Sequence, residues 1–127
     1  MISYSEIPYV AGLIEGEGCI AFWTQKTGRS GFRKNYPAVS LRISMTDKEP
    51  LEQICRILGF GNVRGPFPKG RHKPAYKLEF AKFEEVQAII ALIWKWLSPR
   101  RKARAAFALK EIAAWQLTRK RKIRCAV

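Results

Sequence analysis

Two carboxylates, Glu15 and Glu17, alternate with Gly16 and Gly18 at the end of the apolar stretch Val10-Ala11-Gly12-Leu13-Ile14. Carboxylates and backbone carbonyls are hard oxygen donors, and two acids brought together make a site for Mg²⁺. Gly12 and Gly16 are four apart and share one face of a helix, with Ala11 at its border, so a second backbone can approach there. If two copies of this helix meet through that face, their Glu17 carboxylates converge. Gly16 and Gly18 suit a chain that leaves a helix and turns into a strand. The plainer alternative is a glycine-rich helix end with solvated glutamates.

A second group of residues is cationic. Arg100, Arg101, Lys102 and Arg104 follow Ser98-Pro99, a favoured helix opening. The positive end of the macrodipole disfavours cations there by a few tenths to about 1 kcal/mol each. Such a cluster is expected to serve an anion, phosphate first of all. Composition agrees, since 24 Lys and Arg against 10 Asp and Glu leave a net charge of +14. That balance calls for a polyanionic partner, and nucleic acid is the first candidate.

No run of 18 apolar residues is present to span a bilayer, so no membrane partner is expected. The segment Met1 to Glu6 lacks a basic leader and a cleavage-like site, which predicts an intracellular protein, cytoplasmic or in an organellar matrix, and not secreted. Cys19, Cys55 and Cys125 lack metal-ligand spacing and are read as reduced packing residues. At 127 residues, 47% of them hydrophobic, residues 1–127 are expected to form one domain with a basic C-terminal tail at 119–127.

The elements that must position these groups follow from periodicity. Ser5 is expected to cap a helix over about residues 6–16, with Pro8 in its first turn. Residues 19–26 read as a strand, 27–31 as a turn and 38–45 as a strand whose Val39, Leu41, Ile43 and Met45 line one face. Thr46 or Asp47 caps a second helix that Gly59 and Gly61 end. Residues 62–67 and 75–80 form a second hairpin around a loop containing Pro68, Gly70, Arg71, His72, Lys73 and Pro74. A third helix over 83–97 turns Val86, Ile89, Ile90, Ile93 and Trp94 inward, and a fourth starts at Ser98-Pro99. The order helix-hairpin-helix-hairpin-helix-helix (αββαββαα) is an α+β fold with a four-stranded antiparallel sheet.

Strand parity selects the side chains that face away from the core. Ala21, Trp23 and Gln25 project from the first strand, and Ser40, Arg42 and Ser44 from the second. Lys77 projects from the last strand, and Asn62 and Arg64 complete the patch. Arg matches guanine, and Gln or Asn matches adenine, in a major groove. Arg29, Arg33 and Lys34 near one hairpin tip, and Lys69, Arg71, His72 and Lys73 near the other, suit phosphates that fix register. Trp23 either stacks against DNA or, in a slipped register, joins the core.

Residues 10–18, Val-Ala-Gly-Leu-Ile-Glu-Gly-Glu-Gly, resemble the motif of the LAGLIDADG homing endonucleases, with Glu at both acidic positions where Asp is usual. The element order resembles that family as well. The resemblance implies metal-dependent hydrolysis of one phosphodiester on each DNA strand, with Mg²⁺ ions, two or more, shared between subunits at the dimer axis and no organic cofactor. A single copy of the motif implies a homodimer joined through Ala11, Gly12, Ile14, Glu15 and Gly16. It also implies a long, near-palindromic double-stranded target of about two turns. Glu17 and the Gly16 carbonyl would bind metal. Glu15 more plausibly supports helix packing. Arg100, with Lys102 as runner-up, would lie by the scissile phosphate, and Asp47 would order active-site water or cap its helix. An RNA maturase and a catalytically silent DNA-binding relative are the alternative readings.

Overall fold

The alternation over 38–45 does build a strand, and in the computed structural model it lies at the centre of the sheet. The structure describes residues 4–27 and 34–125, with side chains described for 4–24 and 36–118. Its elements are α1 (Ile7–Glu17), β1 (Gly18–Thr27), β2 (Lys34–Met45), α2 (Lys48–Leu58), β3 (Val63–Lys69), β4 (His72–Phe80), α3 (Phe83–Ile93) and α4 (Pro99–Cys125). Among the described residues the strands form one antiparallel sheet in the order β1-β2-β4-β3. The expected αββαββαα fold is therefore the observed one.

Register sets the shape of the sheet. Leu41 pairs with Phe80 and Met45 with Tyr76, so the two hairpins run past each other with their tips at opposite ends. Val39, Leu41, Ile43, Leu78 and Phe80 turn to one face and join Val10, Ile14, Leu51, Ile54, Val86, Ile89 and Ile93 from the helices. Burying each such large aliphatic or aromatic side chain contributes about 1.5–3 kcal/mol. Met45, also expected there, is only half-buried.

Several boundaries differ from expectation, each for a physical reason. Ser5 belongs to a 3₁₀ turn over Tyr4–Glu6, and Glu6 is the N-cap of α1. Asp47, not Thr46, caps α2 by accepting the Glu49 N–H at 3.2 Å. The expected loop over 68–74 is mostly strand: Lys69 pairs with His72 across a two-residue turn, in which Gly70 takes φ +60. A glycine first and a negative φ second is the II′ pattern that matches strand twist. Pro66 and Pro68 sit on an edge strand, and Pro74 precedes the β4 residues that pair with β2. A missing N–H is tolerated in both places.

α3 stops at Ile93 and a 3₁₀ turn over Trp94–Trp96 follows. Its tighter winding moves Trp94 out of the inward stripe, and that residue is 39% exposed where burial was expected. The basic segment expected as a tail continues α4 as helix to Cys125. No helix among the described residues is long and apolar enough to cross a membrane.

Candidate metal centre and nucleic-acid interface

The acids at the end of α1 have different surroundings. Glu15 is engaged: its carboxylate lies 3.4 Å from Arg101 Nε and accepts the Ser98 N–H at 3.4 Å. Arg101 also donates from Nη2 to the Glu15 carbonyl at 2.9 Å and from Nη1 to the Gly18 carbonyl at 2.7 Å. Glu17, between those two carbonyls, is exposed and has no ion pair among the described residues. Glu15 is thus tied to α4, while Glu17 is not tied to it by any ion pair among the described residues.

The face of α1 beside Glu17 is bare. A Cβ added at Gly12 or Gly16 would meet nothing within 4 Å, and Tyr9 on the same side is 44% exposed. Ala11 and Ile14, expected at an interface with a second subunit, are instead 1% and 0% exposed within this chain's own core. Their apolar side chains point to the sheet side of the helix, one hundred degrees or more from the glycine face. Gly12, Gly16 and the half-buried Leu13 remain for an approaching partner.

Docking of Arg101 brings the start of α4 against the end of α1. A cleft of about 560 Å³ opens there, lined by Glu15, Gly18, Cys19, Ile20, Ser98, Arg100, Arg101 and Arg104. The cationic cluster divides in two. Arg101 and Arg104 serve the fold, the latter donating to the Ile20 carbonyl at 2.7 Å, so stability does account for these two cations. Arg100 is exposed with no partner among the described residues, and Lys102 Nζ sits 5.7 Å from the Trp94 ring centroid. Cys19 is exposed in this cleft, contrary to its expected packing role, whereas Cys55 is half-buried. Burial, then the nearby Glu52 charge, push the Cys55 thiol up.

Asp47 lies at the same end of the sheet as Glu17, because Gly18 pairs with Ile43 and β2 ends at Met45. Among the described residues no three of His, Cys, Asp and Glu gather into a metal site. The oxygen donors near Glu17 fit a hard cation in kind and fall short in number.

On the outer face of the sheet Arg42, Arg64 and Lys77 are exposed and Trp23 is half-buried, while Asn62 just before β3 and Lys69, Arg71, His72 and Lys73 at the second hairpin tip are exposed as well. Trp23 thus takes the outward of its two expected positions, with the Arg42 guanidinium 6.0 Å from its ring centroid. Arg64 pairs directly with Lys77, although like charges opposite one another in a ladder destabilise it. A polyanion lying on this face would offset that repulsion. A hollow of about 250 Å³ beside them is lined by Asn62, Arg64, Phe67, Lys77, Glu79 and Ala81.

Ser40 does not belong to this surface. It is 0% exposed, and its hydroxyl accepts from Arg42 Nε at 3.3 Å. Ala21 and Ser44 are half-buried, and the Ser44 hydroxyl oxygen is hidden with no partner among the described residues. Parity places Glu79 outward beside Lys77, but two contacts on this face were not expected from the sequence. Glu79, which alternates outward with Lys77, pairs with Arg42 at 3.2 Å, and Phe67 lies 5.2 Å below Lys77 Nζ. Arg29 and Arg33, and the side chains of Gln25 and Lys34, lie outside the described residues.

Comparison with known proteins adds to this geometry. A profile described as LAGLIDADG endonuclease matches residues 10–113. No curated protein sequence matches the chain. The homing endonuclease I-CvuI in complex with its target and Ca is 23% identical with a TM-score of 0.64, covering 87% of this chain and 67% of that one. The group I intron-encoded homing endonuclease I-CeuI complexed with DNA is 17% identical with a TM-score of 0.65, covering 84% of this chain and 53% of that one. The I-SmaMI homing endonuclease bound to cleaved DNA is 17% identical with a TM-score of 0.68, covering 88% of this chain and 37% of that one. The chain thus spans from about two thirds to little more than one third of the length of these structures.

Proposed function

The chain belongs to the LAGLIDADG endonuclease family, and from that premise we propose that it is a site-specific homing endonuclease that cuts both strands of a long, near-palindromic DNA duplex as a homodimer. The observation that carries this reading is the contrast at the end of α1. Glu17 is exposed and unengaged beside the open Gly12–Gly16 face, while Glu15 is bound to Arg101.

Two copies of α1 that meet through Gly12 and Gly16 bring two Glu17 carboxylates together. With the Gly16 carbonyls they form an oxygen site for Mg²⁺, which when bound supplies water activation and charge neutralisation for phosphodiester hydrolysis. Arg100 holds the scissile phosphate at the start of α4, where it is exposed and has no partner among the described residues. Lys102 adds positive charge behind it. Asp47 fixes the first turn of α2 at the same end of the sheet. DNA lies along the outer face, with Arg42, Arg64 and Lys77 toward the bases and Lys69, Arg71, His72 and Lys73 toward phosphates. Such an enzyme works where its DNA is, in the cytoplasm or an organellar matrix.

The test is a cleavage selection on randomised duplex DNA with Mg²⁺, with binding of the recovered duplex measured in Ca²⁺. Wild type cuts the duplex; Glu17→Gln binds it and leaves it intact. Cutting by Glu17→Gln at the wild-type rate would remove the assigned acid. Gel filtration that finds a monomer with and without the duplex would remove the shared site.

A further inference from the structure

The geometry points to Arg101 as the positioning residue for Glu17: its guanidinium clamps the turn that carries the acid, through the carbonyls on either side of it. The inference rests on the reading of Glu17 as the metal-binding acid. It concerns how that acid is aimed.

The turn has main-chain ties, the Gly18 N–H to the Ile14 carbonyl and the pairing of Gly18 with Ile43, but among the described residues neither Gly16 nor Glu17 contributes a side-chain tie. Gly16 has no side chain and open space where one would be, and the Glu17 side chain is exposed. Helix ends leave carbonyls without intrahelical partners, and the carbonyl of Glu15 is one of them. Arg101 answers it with Nη2 at 2.9 Å and reaches the Gly18 carbonyl with Nη1 at 2.7 Å. A planar guanidinium has its donors in a fixed fork, so two bonds made together fix both the distance and the direction between the acceptors. Glu17 is the second of the two residues between them.

Arg101 is itself well anchored. Its backbone N–H donates to Ser98 Oγ at 3.4 Å, its Nε lies 3.4 Å from the Glu15 carboxylate, and its side chain is 24% exposed. Arg104 adds a parallel tie to the Ile20 carbonyl at 2.7 Å. The start of α4 therefore carries Arg100 toward the substrate and sets the acid from the same turn. A displacement of α4 would shift both groups together.

A stability role alone would be served by any cation near the negative end of α1. Lysine keeps the charge and loses the fork, so Arg101→Lys separates the two accounts. Mg²⁺ demands near-ideal octahedral ligands, which makes it sensitive to a misplaced carboxylate. On the duplex recovered by selection, Arg101→Lys should lower the single-turnover rate with Mg²⁺ by at least about tenfold while affinity in Ca²⁺ stays within about twofold. The loss should be smaller with Mn²⁺ in place of Mg²⁺. Wild-type rates in Arg101→Lys, or equal losses with both metals, would overturn the clamp. Glu17→Gln runs beside it: cleavage surviving there refutes the acid itself, whereas cleavage lost there and kept in Arg101→Lys refutes only the clamp. A measurement on wild type needs neither a stable variant nor DNA. The Arg101 guanidinium should give separate, slowly exchanging NMR signals in the folded protein, and freely averaged signals would overturn the proposal.

Discussion

The guanidinium of Arg42 and the carboxylate of Glu79 meet at 3.2 Å across the β2–β4 ladder, on the face turned away from Leu41 and Ile43. Both side chains are about half exposed, so the pair contributes at most about 1 kcal/mol to stability. Under the proposed function its effect falls on DNA. Glu79 competes with phosphate for Arg42 and keeps it for a partner that can replace a carboxylate, such as the paired acceptors of guanine. Glu79→Gln should leave thermal stability nearly unchanged and tighten binding to unrelated duplexes. The plot of log affinity against log salt should steepen by about 0.9, one phosphate contact. An unchanged slope would show that Arg42 is not released.

Gly12 is in a helix interior with open space around it. Alanine there should stabilise the isolated subunit by about 0.5–1 kcal/mol, because glycine loses more backbone entropy on folding. Leucine should weaken self-association by about 5- to 150-fold, the equivalent of 1–3 kcal/mol of overpacking. Denaturation below the dissociation concentration and sedimentation equilibrium read the two effects separately. A dimer indifferent to Gly12→Leu does not use this face.

Gly18 has the opposite prospect. Its φ of −81 and ψ of 155 suit any residue, but a Cβ would lie 2.5 Å from the Ile14 carbonyl oxygen and 3.0 Å from Ile14 Cα. Gly18→Ala should therefore destabilise by about 1–3 kcal/mol, by steric displacement of the helix end rather than by strain at residue 18. Urea titration checks the sign. A gain in stability would mean that the helix end yields easily.

The free thiols should react unequally. Cys19 is exposed, while Cys55 is half-buried with its thiol pushed up by burial and by Glu52. Iodoacetamide at pH 7.5 should modify Cys19 well before Cys55, as peptide mass spectrometry would show. Because the folded Cys55 thiol titrates above the unfolded one, its linked stability is complete below about pH 8.5 and declines as pH rises toward the folded value. Cys55→Ala should flatten that decline.

Period-two alternation made Val39, Leu41 and Ile43 legible as core, and helical spacing did the same for Ile54, Val86 and Ile89. The acid motif and the basic cluster were legible too, as residue types. Their division of labour followed only from the family resemblance, and its physical cause was not legible. Glu15 and Glu17 differ because of Arg101, whose contact to the Glu15 carbonyl spans 86 residues of chain. No local pattern encodes that contact. Ser40 had the right parity for the outer face, yet it is buried on a central strand with its hydroxyl accepting from Arg42, a tertiary contact that parity does not give. The second hairpin tip was misread because Pro and Gly signal loops until an edge strand and a two-residue turn give them ordinary places.

The opposed hairpin tips carry a consequence for how such a protein changes its target over time. β2 and β4 meet in only five register pairs, from Leu41–Phe80 to Met45–Tyr76. Beyond that overlap each hairpin extends alone toward its own end of the sheet. For the proposed endonuclease, a lineage could therefore drift in one hairpin without disturbing the other, acquiring a new recognition sequence in instalments. The central pairs, which join the hairpins beside the end of α1, are the part least free to vary.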